Sequence, residues 1–240
     1  MISIIIPTLN EETVLEKTLL SLKKLTNYDY EIIISDGKST DKTIEIAKKY
    51  NCKIVEYKDP ARQTIGQGRN LGAKVASGEY FIFIDADVVI PDINNFFTKA
   101  MDLFKKRKNL VGLTVMLKVF PEMATLSDKL FFAMANFNHR LFNNILHTGS
   151  ASGEFQMIRA DIFKQINGYN EKLPVGEDNE IFSRLNRLGQ TYADQSLYIL
   201  HTSRRAHKIG WPKLILSWIL NAIYVQFLKR SYHSEWKPIR

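Results

Sequence analysis

Short apolar runs alternate with amphipathic stretches through the first hundred residues. The β-branched run Ile2–Ile6 is followed by Leu15, Leu19 and Leu22 at helical spacing. Further runs, "EIIIS", "CKIVEY" and "YFIFI", predict three more strands with helical patterns between them. These runs are apolar along their whole length, as expected of parallel strands that are covered on both faces. The alternation predicts an α/β fold with a doubly wound, mostly parallel central sheet and helices on both faces.

Composition and charge narrow the class of protein. With 45% hydrophobic and 24% charged residues the chain has the composition of a folded protein. The single cysteine, Cys52, excludes an intramolecular disulfide. The net charge of +8 is concentrated at one end, because residues 204–240 contain eight Lys or Arg and one Glu. Without a zinc-finger spacing, a basic zipper or an RNA-binding aromatic signature, we predict no nucleic-acid partner.

Two aspartates follow the fourth predicted strand. Asp85 and Asp87, in "FIFIDADVVIP", lie at the carboxyl end of that strand, where open α/β sheets bind ligands. Nearby carboxylates repel each other unless a cation or a strong donor lies between them, and Mg²⁺ and Mn²⁺ take oxygen ligands of this kind. Aspartates at the end of a strand also simply meet water. The pair alone therefore leaves both a metal site and a solvated turn open.

Four stretches, taken in order, resemble glycosyltransferase family 2 with the GT-A fold. They are "SIIIPTLNEE", "EIIISDGKSTDKT", "GRNLGAKVASGEYFIFIDAD" and "GEFQMIRADIFKQINGYNEKLPVGEDNEIFSRLNRLG". The resemblance implies a metal-dependent, inverting transfer of one sugar from a nucleotide-diphosphate sugar to an acceptor hydroxyl or lipid phosphate. A UDP-sugar is favoured, and a GDP-sugar is the second option. The expected domain covers residues 1–205, with a nucleotide-binding half (1–90), an acceptor-binding half (91–205), and a basic, apolar helical tail (206–240) as a C-terminal appendage.

The resemblance also implies a nucleotide-sugar site. Its expected residues are Pro7, Thr8, Glu11, Glu12, Asp36, Arg69, Asn70, Asp85, Ala86, Asp87, Arg204 and Arg205. Asp36 would accept a hydrogen bond from an N–H of the base. Asp87, with Asp85 and His201, would hold Mn²⁺ or Mg²⁺ against the charge that grows on the leaving diphosphate.

The same resemblance implies a catalytic base and an acceptor site. Glu177 and Asp178 begin a predicted helix whose positive end supports a carboxylate. We expect Asp178 to be the base, with Glu177 as the second candidate, although two acids can also simply cap a helix. Gly153 and Glu154 are expected beside the acceptor.

Two apolar stretches raise the question of a membrane. Leu214–Leu228 contains 15 residues without a charge, which is too short and too polar for a confident span. We expect an interfacial helix, with Leu130–Leu146 as a second candidate, on a protein bound peripherally to the cytoplasmic face of a membrane. The acceptor is expected to be a lipid or a glycan, and binding to a membrane would favour a lipid or lipid phosphate. Both stretches could instead be core helices or the interface of a homo-oligomer.

Rival functions remain at this stage. A catalytically silent sugar-nucleotide-binding subunit of a membrane glycan assembly complex is the main alternative, and Asp85, Asp87 and Asp178 argue against it. A nucleotidyltransferase would need a glycine-rich signature with a lysine, which "PTLNEETVLEK" lacks. A nicotinamide-dependent dehydrogenase is excluded because no G-x-G-x-x-G follows the first strand.

Overall fold

The computed structural model describes residues 1–224 and Tyr232, without the side chains of residues 222 and 223. The strands are β1 (Ile2–Thr8), β2 (Tyr30–Asp36), β3 (Lys53–Glu56), β4 (Tyr80–Ile84), β5 (Leu110–Val119), β6 (Phe155–Arg159) and β7 (Gln190–His201). The helices are α1 (Leu15–Leu22), α2 (Thr43–Lys49), α3 (Ile65–Lys74), α4 (Ile93–Lys106), α5 (Leu126–Arg140), α6 (Ala160–Gln165), α7 (Glu177–Leu185), α8 (Arg204–Ile209) and α9 (Trp211–Ile223). A π-helical turn, Leu141–Ile145, continues α5.

One sheet joins the two halves of the chain. Its strand order is β3-β2-β1-β4-β6-β5-β7. Neighbouring strands are parallel except at β6, which runs antiparallel to both β4 and β5. The predicted doubly wound, mostly parallel sheet is therefore confirmed, and β6 is the link between strands β1–β4 and strands β5 and β7.

Apolar side chains fill a layer on each face of the sheet. Because successive residues of a strand point to opposite faces, Ile4 packs with Leu15 and Leu19 of α1 while its neighbour Ile5 packs with Phe182 of α7. Helix α3 lies so close to β1 that a methyl group at Gly72 would come 2.4 Å from Ile5. This close packing brings α3, and the side chains it carries, up to the ends of β1 and β2.

The C-terminal segment is helical as far as it is described. Helix α9 covers part of the predicted interfacial stretch, and the rest of Leu214–Leu228 lies outside the described residues. Lys229, Arg230 and most of the basic tail predicted for residues 206–240 also lie outside them. Within residues 1–224 the helices are too short or too polar to cross a bilayer.

Candidate active site

The predicted base-binding residues lie where β1 and β2 end side by side. Thr8 and Asp36 are register partners and both are buried. The Asp36 carboxylate accepts hydrogen bonds from Thr8 Oγ1 (3.0 Å), Ser39 N (2.7 Å) and Ser39 Oγ (2.5 Å). Pro7 lies beside Gly68 of α3. These bonds fix the orientation of Asp36 at the edge of the sheet that is predicted to receive the nucleotide.

Arg69, from α3, is the centre of the site. Only 1% of it is exposed, and its Nη1 donates to Glu177 Oε1 at 2.9 Å. Its Nη2 donates to the carbonyl of Gly153 at 2.9 Å and lies 3.4 Å from Asp85 Oδ1. Burial alone would lower the pKa of Arg69, but Tyr169 and the surrounding carboxylates raise it. A permanent positive charge therefore connects the loop after β4, the loop before β6 and the start of α7.

Gly153 is required by the close approach of Arg69. A methyl group at this position would lie 2.8 Å from Arg69 Nη2, which is closer than a methyl carbon can approach a nitrogen without a shift of one of them. The backbone φ of Gly153 is not in the left-handed region, so conformational freedom is not the reason for a glycine here. Its expected role beside the acceptor stays a prediction.

Four carboxyl groups share the cleft around this guanidinium, namely those of Asp85, Glu154, Glu177 and Asp178. Burial raises the pKa of each of them above its ordinary value. Repulsion between acids adds to the shift at Asp85, Glu154 and Glu177, and Arg69 opposes it at Asp85, Glu177 and Asp178. Raised carboxyl pKa values in a cleft are typical of groups that accept protons in catalysis.

Asp178 is held in place by its own helix. Its Oδ1 accepts a hydrogen bond from the backbone N–H of Asn179 at 2.7 Å, within the first turn of α7. No Lys or Arg lies within hydrogen-bonding distance of it among the described residues. Glu177 is already paired with Arg69, so Asp178 is the candidate whose carboxylate is not hydrogen-bonded to a cation.

Asp87 faces the end of β7 rather than Arg69. Its Oδ2 accepts from Thr202 Oγ1 and from Arg204 Nε, the latter at 3.2 Å. Arg204 Nη1 also donates to Glu11 Oε2 at 3.0 Å, so one guanidinium joins the loops after β1 and β4. Arg205 lies close enough to Asp85 for an electrostatic interaction, and burial lowers its pKa. Five of the predicted nucleotide-sugar residues thus lie near one another, namely Glu11, Asp85, Asp87, Arg204 and Arg205.

The surroundings of His201 indicate whether a cation would fit beside Asp87. The imidazole is buried, burial lowers its pKa to about 4, and it interacts electrostatically with Asp87. Its Nδ1 accepts from Ser203 N at 3.3 Å, while Nε2 has no hydrogen-bond partner among the described residues. A neutral imidazole with an unpartnered nitrogen and the nearby carboxylate of Asp87 are suitable donors for Mn²⁺. Within residues 1–224, however, three or more His, Cys, Asp or Glu side chains are not gathered as a ready-made metal site.

Three residues predicted for the nucleotide-sugar site make their hydrogen bonds outside the groups around Arg69 and Asp87. Glu12 is exposed and accepts from the backbone N–H of Lys42. The Asn70 amide is buried and bonds to the backbone of Tyr169 and to Glu171. Ala86 is buried, and its carbonyl accepts from Thr18 of α1 at 2.7 Å. These three support the site through the loops around it, and contact with a nucleotide sugar stays a prediction for each.

The sequence did not single out Asp128, which anchors the C-terminal helices. This fully buried carboxylate accepts from Thr125, Ser203, His207 Nε2 (2.8 Å) and Trp211 Nε1 (3.0 Å). These bonds lower its pKa to about 2 although burial alone would raise it. The signal was present, because Thr125 and Asp128 have the spacing of a capping box before an apolar run.

Comparisons with known proteins identify the family and the fold of the chain. The profile of the family described as "Glycosyl transferase family 2" matches residues 3–166. A poly(ribitol-phosphate) beta-glucosyltransferase of Bacillus spizizenii is 40% identical over 93 residues, which are 36% of this chain and 14% of the relative. The chain thus spans only a small part of that relative.

Two solved structures share the fold. The mannosyltransferase PcManGT of Pyrobaculum calidifontis, in complex with GDP-Man and Mn²⁺, superposes with a TM-score of 0.68 at 15% identity, over 89% of this chain and 59% of that one. S. aureus TarS 1–349 with UDP-GlcNAc gives a TM-score of 0.63 at 20% identity, over 98% and 68%. The chain therefore belongs to glycosyl transferase family 2 and has the GT-A fold, which confirms the resemblance.

Proposed function

We propose that this chain transfers one sugar from a nucleotide-diphosphate sugar to an acceptor hydroxyl or lipid phosphate, with inversion at the anomeric carbon. One observation carries the proposal: Arg69 binds both Asp85, which follows β4, and Glu177, which begins α7. The acids near the predicted leaving group and the base on α7 are thereby held around one cleft. A direct displacement needs this arrangement, with control of charge at the leaving group and a base for the acceptor.

In the proposed step the acceptor oxygen attacks the anomeric carbon from the side opposite the diphosphate. The bond between carbon and acceptor oxygen forms while the bond between carbon and diphosphate oxygen breaks, and the electron pair of the broken bond leaves on the diphosphate. The acceptor proton goes to the carboxylate of Asp178. Because burial raises the pKa of Asp178, this carboxylate is a stronger base than an exposed aspartate.

The nucleotide is proposed to lie across the ends of β1 and β2. Asp36 would accept from an N–H of the base, with Pro7 and Thr8 beside it. A UDP-sugar is favoured, and the UDP-GlcNAc complex of TarS supports this choice. The GDP-Man complex of PcManGT keeps a GDP-sugar as the second option.

Asp87 and His201, with Asp85, are proposed to hold Mn²⁺ or Mg²⁺. Such a cation, when bound, would neutralise charge on the leaving diphosphate. Arg204 and Arg205 would add positive charge at the same place, because a guanidinium binds phosphate oxygens with charge-assisted hydrogen bonds. The two Mn²⁺-containing neighbours, PcManGT and a glucosyl-3-phosphoglycerate synthase, support a divalent ion.

Calorimetric titration tests the donor site. UDP and GDP are titrated with and without Mn²⁺ into the wild-type protein, Asp87→Asn, and the control Asp161→Asn, whose carboxylate is exposed and pairs with Arg159. We expect Mn²⁺-dependent binding of UDP to the wild-type protein and the control, and at least about tenfold weaker binding to Asp87→Asn. Failure of both nucleotides to bind would overturn the proposed donor site, whereas binding without turnover would favour the catalytically silent sugar-nucleotide-binding subunit.

Asp178→Asn separates binding from chemistry. We expect this variant to bind the nucleotide like the wild-type protein but to consume UDP-glucose or UDP-GlcNAc about 10²- to 10⁴-fold more slowly. Turnover at the wild-type rate would show that Asp178 is not the base.

A further inference from the structure

One face of α5 exposes large apolar side chains. Four of them are between 50 and 73% exposed: Leu126, Leu130, Met134 and Phe137. Their spacing of three or four residues places them in one row along the helix. The π-helical turn that follows adds Phe142, Ile145 and Leu146, which are also exposed. A surface helix normally buries such a row, so this apolar row marks an interaction surface.

The exposed charges around the apolar row are cationic. Lys129 and Arg140 are exposed on α5. The only acid between residues 123 and 148 is Asp128, and it is fully buried in its hydrogen-bond cluster. From residue 204 to residue 224 the sequence contains no acid at all, and Lys208 and Lys213 are exposed there, while Arg204 and Arg205 face the cleft. The surface thus combines apolar area with positive charge, and the exposed acid that precedes it, Glu122, is paired with Lys17.

Helix α9 lies directly beside α5. Phe131 stacks on Trp211 with 4.0 Å between ring centroids, and it lies 5.4 Å from Trp218. On its other sides α9 exposes Leu216 and Ile219 by more than half. A second helix with exposed apolar side chains therefore borders the apolar row.

The inner side of α5 leads to the proposed base. His139 Nδ1 lies 2.9 Å from Ser150 Oγ, and Ser150 Oγ donates to Asn179 Oδ1 at 2.8 Å. The backbone N–H of Asn179 in turn donates to Asp178. Asp178 is thus connected to the inner side of α5 through Ser150 and Asn179, and the apolar row lies on the opposite side of the same helix.

We propose that the apolar row on α5 and the π-helical turn binds the surface of a bilayer that contains anionic lipid. Apolar side chains would enter the boundary between headgroups and acyl chains, and Lys129 and Arg140 would meet lipid phosphates. A second copy of the chain fits less well, because a self-complementary contact would bring like charges together with no exposed acid to pair with them.

This surface identifies the class of acceptor, an inference that rests on the proposed function. A cleft whose proposed base is connected to the inner side of the membrane-binding helix is suited to an acceptor that is anchored in lipid and extends a hydroxyl or phosphate towards Asp178. The binding of the bilayer itself does not depend on the reaction.

Vesicle flotation tests the surface. The full chain is mixed with phosphatidylcholine vesicles with or without phosphatidylglycerol, in the absence of donor and acceptor. The variant Leu130→Ser/Met134→Ser is compared with Leu20→Ser/Leu188→Ser, which changes two similarly exposed leucines on α1 and after α7. We expect the wild-type protein and the control to float with phosphatidylglycerol vesicles. The bound fraction of the α5 variant should fall at least about tenfold, because it lacks two apolar side chains that the bilayer would bury.

Each other result overturns the proposal. It fails if the wild-type protein does not float, or if the α5 variant floats as well as the control. A wild-type dimer in light scattering that the α5 variant converts to a monomer, without vesicle binding, would make the row a homodimer interface. Titration with UDP and Mn²⁺ on the same variant keeps this failure distinct from failure of the donor site, since the variant is expected to bind UDP normally.

Discussion

Carboxylates are buried in two clusters of this protein, and their pKa values shift in opposite directions in the two clusters. Around Arg69, several acids share one guanidinium, and burial raises the pKa of Asp85, Glu177 and their neighbours. At the start of α5, Asp128 alone accepts hydrogen bonds from four residues, and its pKa falls to about 2. Burial acts in the same direction in both clusters, so the number of donors for each carboxylate decides the outcome.

This difference separates a structural cluster from the cluster that we propose to be catalytic. Asp128 is fully satisfied and ties α8 and α9 to α5. The acids around Arg69 have more acceptor oxygens than there are donors to bind them. Their pKa values therefore stay raised, and their negative charge can attract a cation. Variants that change one cluster and spare the other test this interpretation.

Arg69→Met should have the largest effect. It removes the only guanidinium bound to Glu177 among the described residues and leaves a buried carboxylate uncompensated. We expect the free energy of unfolding to fall by about 3–5 kcal/mol and donor turnover to disappear. Urea unfolding and turnover of UDP-glucose are the measurements. The control is Arg159→Met, which breaks an exposed pair with Asp161 that contributes about 0–1 kcal/mol. Equal stability of the two variants would contradict the central role of Arg69.

Asp178→Asn should reduce turnover and yet stabilise the protein at neutral pH. The folded-state pKa of Asp178 is raised, so the folded protein binds the proton more tightly than the unfolded chain, and ionisation lowers stability as pH rises through this range. Removing the charge removes that penalty. We expect a higher Tm than the wild-type protein at pH 7 and a smaller difference near pH 4. A lower Tm at pH 7 would show that Asp178 is satisfied in the folded state.

Asp128→Asn should lose stability instead. The folded-state pKa of Asp128 is about 2, below the ordinary value. The ionised carboxylate therefore stabilises the folded protein above the unfolded-state pKa, and this stabilisation is lost as pH falls through 2. That contribution is about 2.5 kcal/mol near pH 7. Urea unfolding at neutral and acidic pH measures it, with the exposed Asp161→Asn as control. An unchanged free energy of unfolding at pH 7 would contradict the account of this cluster.

The pH dependence of turnover should show the smallest effect. A base must be deprotonated, so kcat/KM is expected to rise with pH through an apparent pKa above the ordinary aspartate value of about 3.9. The residual activity of Asp178→Asn should lack this acidic limb. A limb that persists in the variant would assign the titration to another carboxyl group in the cleft.

The sequence predicted the first four strands and the family well, because continuous apolar runs and ordered motifs are local features. It could not predict that β6 enters the sheet antiparallel, since the pattern of "FQMIR" does not show in which direction a strand pairs with its neighbours. The partners of the Arg69 side chain could not be predicted either. Its motif indicates a position on α3, whereas its partners Asp85 and Glu177 come from distant segments that only the folded sheet brings together.

The place of β6 in the sheet also affects the order in which the protein can assemble during synthesis. Strands β1–β4 neighbour one another and can pair as they leave the ribosome, but β5 has only β6 and β7 as neighbours and must wait for them. Arg204 follows Glu11 by 193 residues, so the cleft closes only after Arg204 has been made. A chain that stalls before β6 leaves the edge of β4 unpaired and is expected to aggregate.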